Sequence, residues 1–111
     1  MTLIVGPLFS GKRQVAMELL GCSEAELARR AVVDAQELAA SNDDLQALAE
    51  QLATHEVVIA MEMGGGVVPT DPAQRAAREA SGRLTCLLAQ KADTVIRVFC
   101  GIPTVLKGKL S

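Results

Sequence analysis

Gly6-Pro7-Leu8-Phe9-Ser10-Gly11-Lys12-Arg13 is the run whose residue types and spacing point most directly to chemistry. It has the form G-x4-G-K, a glycine-bounded loop with a lysine at its exit. Such a loop turns backbone N–H groups inward, and a helix opening at its end adds partial positive charge. Together these cradle phosphates. Gly6, Ser10, Gly11, Lys12 and Arg13 are therefore the candidate binding residues, with the Lys12 ammonium reaching the β- and γ-phosphates of ATP or GTP. The residue after the lysine is ordinarily Ser or Thr, whose hydroxyl holds Mg²⁺. Here it is Arg13, which cannot ligate a metal. Either Arg13 contacts a phosphate itself, or it marks a loop that no longer catalyses. A glycine-rich turn carrying a surface lysine is the plainer alternative.

Two acids stand at the ends of apolar runs, Asp34 after Ala31-Val32-Val33 and Glu62 after Val57–Met61. Acids at the C-terminal ends of strands in an α/β sheet lie where ligands bind. Asp34 is a candidate to hold Mg²⁺ through water, and Lys12, Asp34 and Glu62 are the candidate catalytic groups. The alternative for both acids is that they are polar ends of buried strands. Gly64-Gly65-Gly66 either lets a backbone approach a ligand or simply links strand to helix. Ordinary roles suffice for the other chemistry-bearing residues: core packing for Met61 and Met63, a solvated helix face for Arg75, Arg78 and Arg83, and no role for His55.

The elements that must position these groups follow from the apolar pattern. Residues 2–5 read as a buried strand ended by Gly6 and Pro7. Helical spacing over 12–20 places Val15, Ala16, Leu19 and Leu20 on one side, with Gly21 as the C-terminal cap. Ser23 and Glu26 form a capping box for a helix toward Arg30. A brief strand over 31–34 comes next, then an amphipathic helix over 43–53 behind a Ser41/Asn42 cap. Residues 57–61 are a third strand. Asp71-Pro72 opens a helix to about residue 91, and 94–100 is the last strong strand, closed by Gly101 and Pro103. The tail beyond it is expected to be loosely ordered. Strands alternating with helices imply right-handed βαβ units. The fold class is α/β, a mostly parallel sheet flanked by helices in three layers of the P-loop type, as one nucleotide-binding-like domain over 1–111.

Composition narrows the function. The chain has 111 residues, half of them apolar, enough for one core. Two Phe, no Trp and no Tyr leave few stacking platforms for single-stranded nucleic acid. A net charge of −2 gives no electrostatic support for binding nucleic acid or an anionic membrane. Cys22, Cys86 and Cys100 form no CxxC unit and are expected to be buried free thiols, with Cys86 and Cys100 in strongly apolar surroundings. One histidine, His55, argues against a zinc site. The opening Met-Thr-Leu-Ile-Val-Gly lacks the n-region of a signal peptide, and no apolar run approaches a membrane span, so a cytoplasmic location is expected.

The second half carries a family likeness. Val57-Val58-Ile59-Ala60-Met61-Glu62-Met63-Gly64-Gly65-Gly66-Val67-Val68-Pro69 resembles the strand and loop of the bifunctional adenosylcobinamide kinase / adenosylcobinamide-phosphate guanylyltransferase family, whose strand ends Asn-Glu-Val-Gly before a glycine turn and Val-Pro. Arg75, Arg78, Glu79, Gly82-Arg83-Leu84, Ala92-Asp93 and Cys100-Gly101-Ile102-Pro103 continue the pattern. Ala31-Val32-Val33-Asp34 is similar to the family's strand ending in a Walker-B-like acid. The resemblance covers 57–103 well, and 1–20 and 31–34 less specifically.

The resemblance implies cobalamin assembly or salvage. The family phosphorylates the hydroxyl of adenosylcobinamide's aminopropanol arm with ATP or GTP, then moves GMP onto that phosphate through a guanylylated histidine. That histidine lies between the first helix and the Walker-B-like strand, where this chain has only Gly21 to Ala31 and no histidine. Guanylyl transfer is not expected. Met61 replaces the family's Asn, and Arg13 the metal-binding hydroxyl. The expected ligands are a nucleoside triphosphate, with adenosylcobinamide as the partner substrate, in a homo-oligomer or as a subunit of a complex. The alternative is a non-catalytic family member that binds a nucleotide or a partner protein.

Overall fold

The computed structural model describes residues 1–7, 10–62 and 71–108. Leu8 and Phe9 of the loop, and Met63 with Gly64–Gly66 and Val67-Val68-Pro69, lie outside the described residues. The elements in chain order are β1 (Thr2–Gly6), α1 (Lys12–Leu20), α2 (Glu24–Arg30), β2 (Ala31–Val32), α3 (Gln36–Ala39), α4 (Leu45–Leu52), β3 (Val57–Met61), α5 (Pro72–Lys91), β4 (Thr94–Phe99) and β5 (Ile102–Lys107).

The strands form one sheet in the order β2-β3-β1-β4-β5, with β1, β2, β3 and β4 parallel and β5 antiparallel to β4. Period-two alternation sorts the apolar residues onto two faces. Leu3, Val5, Val58, Ala60 and Val95 pack with Leu48, Leu52, Leu84 and Leu88 of α4 and α5. Ile4, Val57, Ile59, Ile96 and Val98 pack with Val15, Ala16 and Leu27 of α1 and α2. Helices on both faces of a mostly parallel sheet make the α/β three-layer arrangement that the alternation of elements implies.

Local rules place most boundaries. Gly21 caps α1 in the left-handed region at φ 61°. The Ser23 side chain accepts from the Glu26 N–H, and Asp71 accepts from the Ala73 N–H ahead of Pro72 at the start of α5.

Four expectations are corrected. The cap of α4 is Asp44, whose carboxylate accepts from the Ala47 N–H. Ser41 and Asn42 instead donate to the Leu38 carbonyl, closing the end of the short helix α3. The strand over 31–34 stops at Val32, because Asp34 takes the left-handed region at φ 57°. Residues 102–107 of the tail are a strand, joined to β4 by a two-residue turn with Phe99 opposite Ile102. Cys100 and Gly101 form that turn with φ 52° and 75°, the doubly positive pattern of tight hairpins. Pro103 does not close the structure, since β5 is an edge strand, where a missing N–H is tolerated. The thiols differ too: Cys86 and Cys100 are exposed and Cys22 is half-buried. On α5 the buried positions are Ser81, Leu84 and Leu88, a helical stripe that Cys86 misses although its sequence neighbours are apolar.

Candidate functional site

β1 is the central strand, with β3 on one side and β4 on the other. The connection from β1 runs to one side of the sheet, to β2, and the connection from β3 runs to the other, to β4. The crevice beyond the C-terminal ends of strands at such a reversal is where open α/β sheets bind ligands. The G-x4-G-K loop starts there. Gly6 is the last residue of β1, and nothing larger fits there: a Cβ on it would run into the Val98 carbonyl oxygen. Gly11 leads into α1 at φ 91°, a conformation that favours glycine. Its own neighbour is the Cα of Gly101, 3.2 Å from where a Cβ would stand. The Gly101 N–H donates to the Ser10 carbonyl at 2.7 Å. The β4–β5 turn thus braces the loop from outside, a contact that the loop motif alone does not announce.

The N-cap residue of α1 is Gly11, which offers no side-chain cap, and no acid sits in the first turn of the helix. Its first N–H groups therefore keep their capacity for an anion. The start of α1 borders a recess of about 460 Å³ lined by Ser10, Gly11, Lys12, Arg13, Val33, Asp34 and Ile59. Asp34 reaches this recess from the β2–α3 junction, so the topology brings the candidate metal acid to the phosphate loop.

Lys12 donates from Nζ to the Pro7 carbonyl at 2.7 Å and lies 3.5 Å from the Ser10 hydroxyl. Burial pushes its pKa below the ordinary 10.5, while Asp34 and Glu62 oppose that shift. Lys12, Asp34 and Glu62 are thus electrostatic neighbours. Arg13 is turned aside: its guanidinium lies 3.7 Å from Glu24, and its side chain is 57% exposed.

Glu62 follows β3, where its N–H donates to the Gly6 carbonyl at 2.8 Å. Both of its carboxylate oxygens are engaged by Arg97 of β4, Nε to Oε1 at 2.5 Å and Nη2 to Oε2 at 3.1 Å. These bonds push the Arg97 guanidinium further above its ordinary range. Arg97 also sits over the Phe99 ring, 5.6 Å from its centroid. Sequence reasoning passed over Arg97. Its signal was a lone cation inside the apolar run Thr94–Phe99. Gln36 was also missed: it is 5% exposed, and its side-chain oxygen accepts from the Met61 N–H at 2.8 Å, fixing the end of β3 beside Glu62. His55 lies at the opposite sheet edge, with Nδ1 3.2 Å from the Leu52 carbonyl.

The donor set for Mg²⁺ is thin. Asp34 is the carboxylate lining the recess, Arg13 stands where a hydroxyl would be, and both oxygens of Glu62 are held by Arg97. Among the described residues no group of three or more His, Cys, Asp or Glu is placed to hold a metal ion. A magnesium ion would come with a triphosphate and find one protein carboxylate, Asp34.

Fold and loop define the class: an α/β protein of the P-loop type, with its phosphate loop at the switch point of the sheet. A model of the cobinamide kinase / cobinamide phosphate guanyltransferase family matches residues 22–106, and the chain belongs to that family. The matched span includes Asp34, Glu62 and Arg97 and begins after the phosphate loop. Comparison with curated proteins gave no match. Membership carries a nucleotide-binding function related to cobalamin biosynthesis, in a family whose substrates are nucleoside triphosphates and cobinamides. No helix among the described residues is long and apolar enough to cross a membrane.

Proposed function

We propose that this chain binds the triphosphate of ATP or GTP on the Gly6–Arg13 loop, with Ser10, Gly11 and the first turn of α1 around the phosphates and Lys12 on the β- and γ-phosphates. The observation that carries this reading is the start of α1, with no side-chain cap from Gly11, bordering a recess that Lys12 and Asp34 also line. Chemistry at this site would be phosphoryl transfer to the hydroxyl of a cobinamide arm. The hydroxyl oxygen bonds to the γ-phosphorus, the bridge to the β-phosphate breaks, and the hydroxyl proton passes to a carboxylate. Asp34 suits the last role better than Glu62, whose oxygens are already engaged. Guanylyl transfer through histidine finds no counterpart in Gly21–Ala31.

A second reading, a non-catalytic nucleotide binder or subunit, is favoured by the pairing of Arg13 with Glu24 and by the missing hydroxyl. In this reading Arg13 turns from Glu24 to the phosphates and replaces the metal's charge, so affinity depends little on Mg²⁺. The apolar side chains left open on and beside β5, Phe99, Ile102 and Leu106, support assembly with a further subunit. We place the protein in the cytoplasm, as one nucleotide-binding unit.

Calorimetry of ATP and GTP, with and without Mg²⁺, tests the loop. Lys12→Ala should weaken binding roughly 10- to 100-fold, the worth of a charge-assisted phosphate contact. Unchanged affinity in a folded variant would make the loop structural only. Tight binding strictly dependent on Mg²⁺, with phosphate transferred to adenosylcobinamide, would decide for the kinase over the binder.

A further inference from the structure

Arg97 belongs to no part of the phosphate-loop motif, yet its geometry ties it to the loop. On β4 it shares the face of Val95, the face that packs on α5. Glu62, two residues beyond Ala60, follows the same face of β3. Between them runs β1, where Val5 is in register with both Ala60 and Arg97. The Arg97–Glu62 fork therefore spans β1 where the strand becomes the phosphate loop. The Glu62 N–H is bonded to the Gly6 carbonyl, and Lys12 is bonded to the next carbonyl, that of Pro7.

Lys12 thus has two carboxylates acting on it, Asp34 and Glu62. A half-buried carboxylate without a partner attracts the cation within its field, and a lysine so paired offers less charge to an incoming phosphate. The planar guanidinium engages both oxygens of Glu62 at once, which a single lysine could not do. We propose that Arg97 is a positioning residue for Lys12: by clamping both oxygens of Glu62 it keeps that carboxylate from pairing with the Lys12 ammonium, leaving the ammonium to a triphosphate. The clamp also offsets charge, since without Arg97 the acids Asp34 and Glu62 face Lys12 alone. The inference rests on the reading of Lys12 as the phosphate-binding lysine.

The test uses the full chain as wild type, Arg97→Leu, Arg97→Lys, Glu62→Gln and Arg97→Leu/Glu62→Gln. Two readouts are taken: the pH titration of the Lys12 side chain by NMR on lysine-labelled protein without nucleotide, and ATP and GTP affinity by calorimetry. Arg97→Leu should raise the Lys12 pKa, because a released carboxylate favours the charged ammonium. It should weaken triphosphate binding about tenfold, the scale of one charge contact in a half-exposed site. The double variant should return both readouts toward wild type, and Arg97→Lys should fall between. Arg97 contacts the Phe99 ring as well, and a role through that packing would leave the Lys12 titration unmoved in Arg97→Leu. It would also leave the double variant as weak as the single; either result overturns the proposal. Where Arg97→Leu does not fold, the comparison of Arg97→Lys with Arg97→Lys/Glu62→Gln carries the same two outcomes. A wild-type chain that binds no triphosphate would sink the nucleotide reading separately, and the Lys12 titration would still decide whether the clamp acts on Lys12.

Discussion

Lys12 carries a conflict that its surroundings only partly relieve. Burial disfavours its charged form, and Asp34 and Glu62 support it without cancelling the burial. With the folded pKa below 10.5, the native chain releases the proton earlier than the unfolded chain as pH rises. Between those two values the unfolded state holds more protons, so the free energy of unfolding increases with pH. The charged lysine therefore costs the empty protein stability at neutral pH, a cost that fades as pH approaches 10.5. Lys12→Met should be more stable than wild type in urea unfolding at pH 7, and its advantage should shrink steadily toward pH 10. An advantage independent of pH would mean that the gain comes from packing rather than from charge.

Among the elements, the β4–β5 hairpin links most directly to the site. Its turn carries the N–H that holds the Ser10 carbonyl, and it requires positive φ at both Cys100 and Gly101. Glycine adopts such values freely, whereas cysteine is strained there and asparagine tolerates it better. Cys100→Asn should therefore raise stability by about 0.5–1 kcal/mol. The thiol is exposed in the turn, so no core contact is lost. Thermal unfolding checks this, and a lower midpoint in the variant would contradict it. The helices show the same dependence on local chemistry. Asp44 outcompetes Ser41 and Asn42 as the α4 cap, because those two residues are already bonded to the end of α3.

For the whole molecule, the decisive strand is the one farthest along the chain. β5 covers the outer edge of β4, and Lys107 at its end donates to the Ala89 and Gln90 carbonyls at the C-terminus of α5. One short strand thus ties the sheet edge, the last helix and, through Gly101, the phosphate loop. A chain ending at Gly101 should lose its cooperative unfolding transition and self-associate, since β4 would present an unpaired ladder of apolar residues. Circular dichroism and light scattering would show this. A truncated chain that stays monomeric and melts as wild type does would refute it.

The sequence by itself determined the local and periodic features. Short continuous apolar runs set the four strands β1 to β4 to within two residues, and the 3.6-residue spacing with Ser23, Asp71 and Pro72 set α2 and α5. Gly6 and Gly11 were legible because a close backbone approach and a positive φ favour glycine there, and Lys12 because of its place in the G-x4-G-K pattern. Tertiary structure decided what depends on contacts distant in sequence. Arg97 and Glu62 are 35 residues apart, and Gln36 and Met61 25 apart, so no window of sequence contains either pair. β5 was illegible for a related reason. A strand with Pro103 and six exposed positions shows no alternation, and only pairing with β4 gives its backbone a structure.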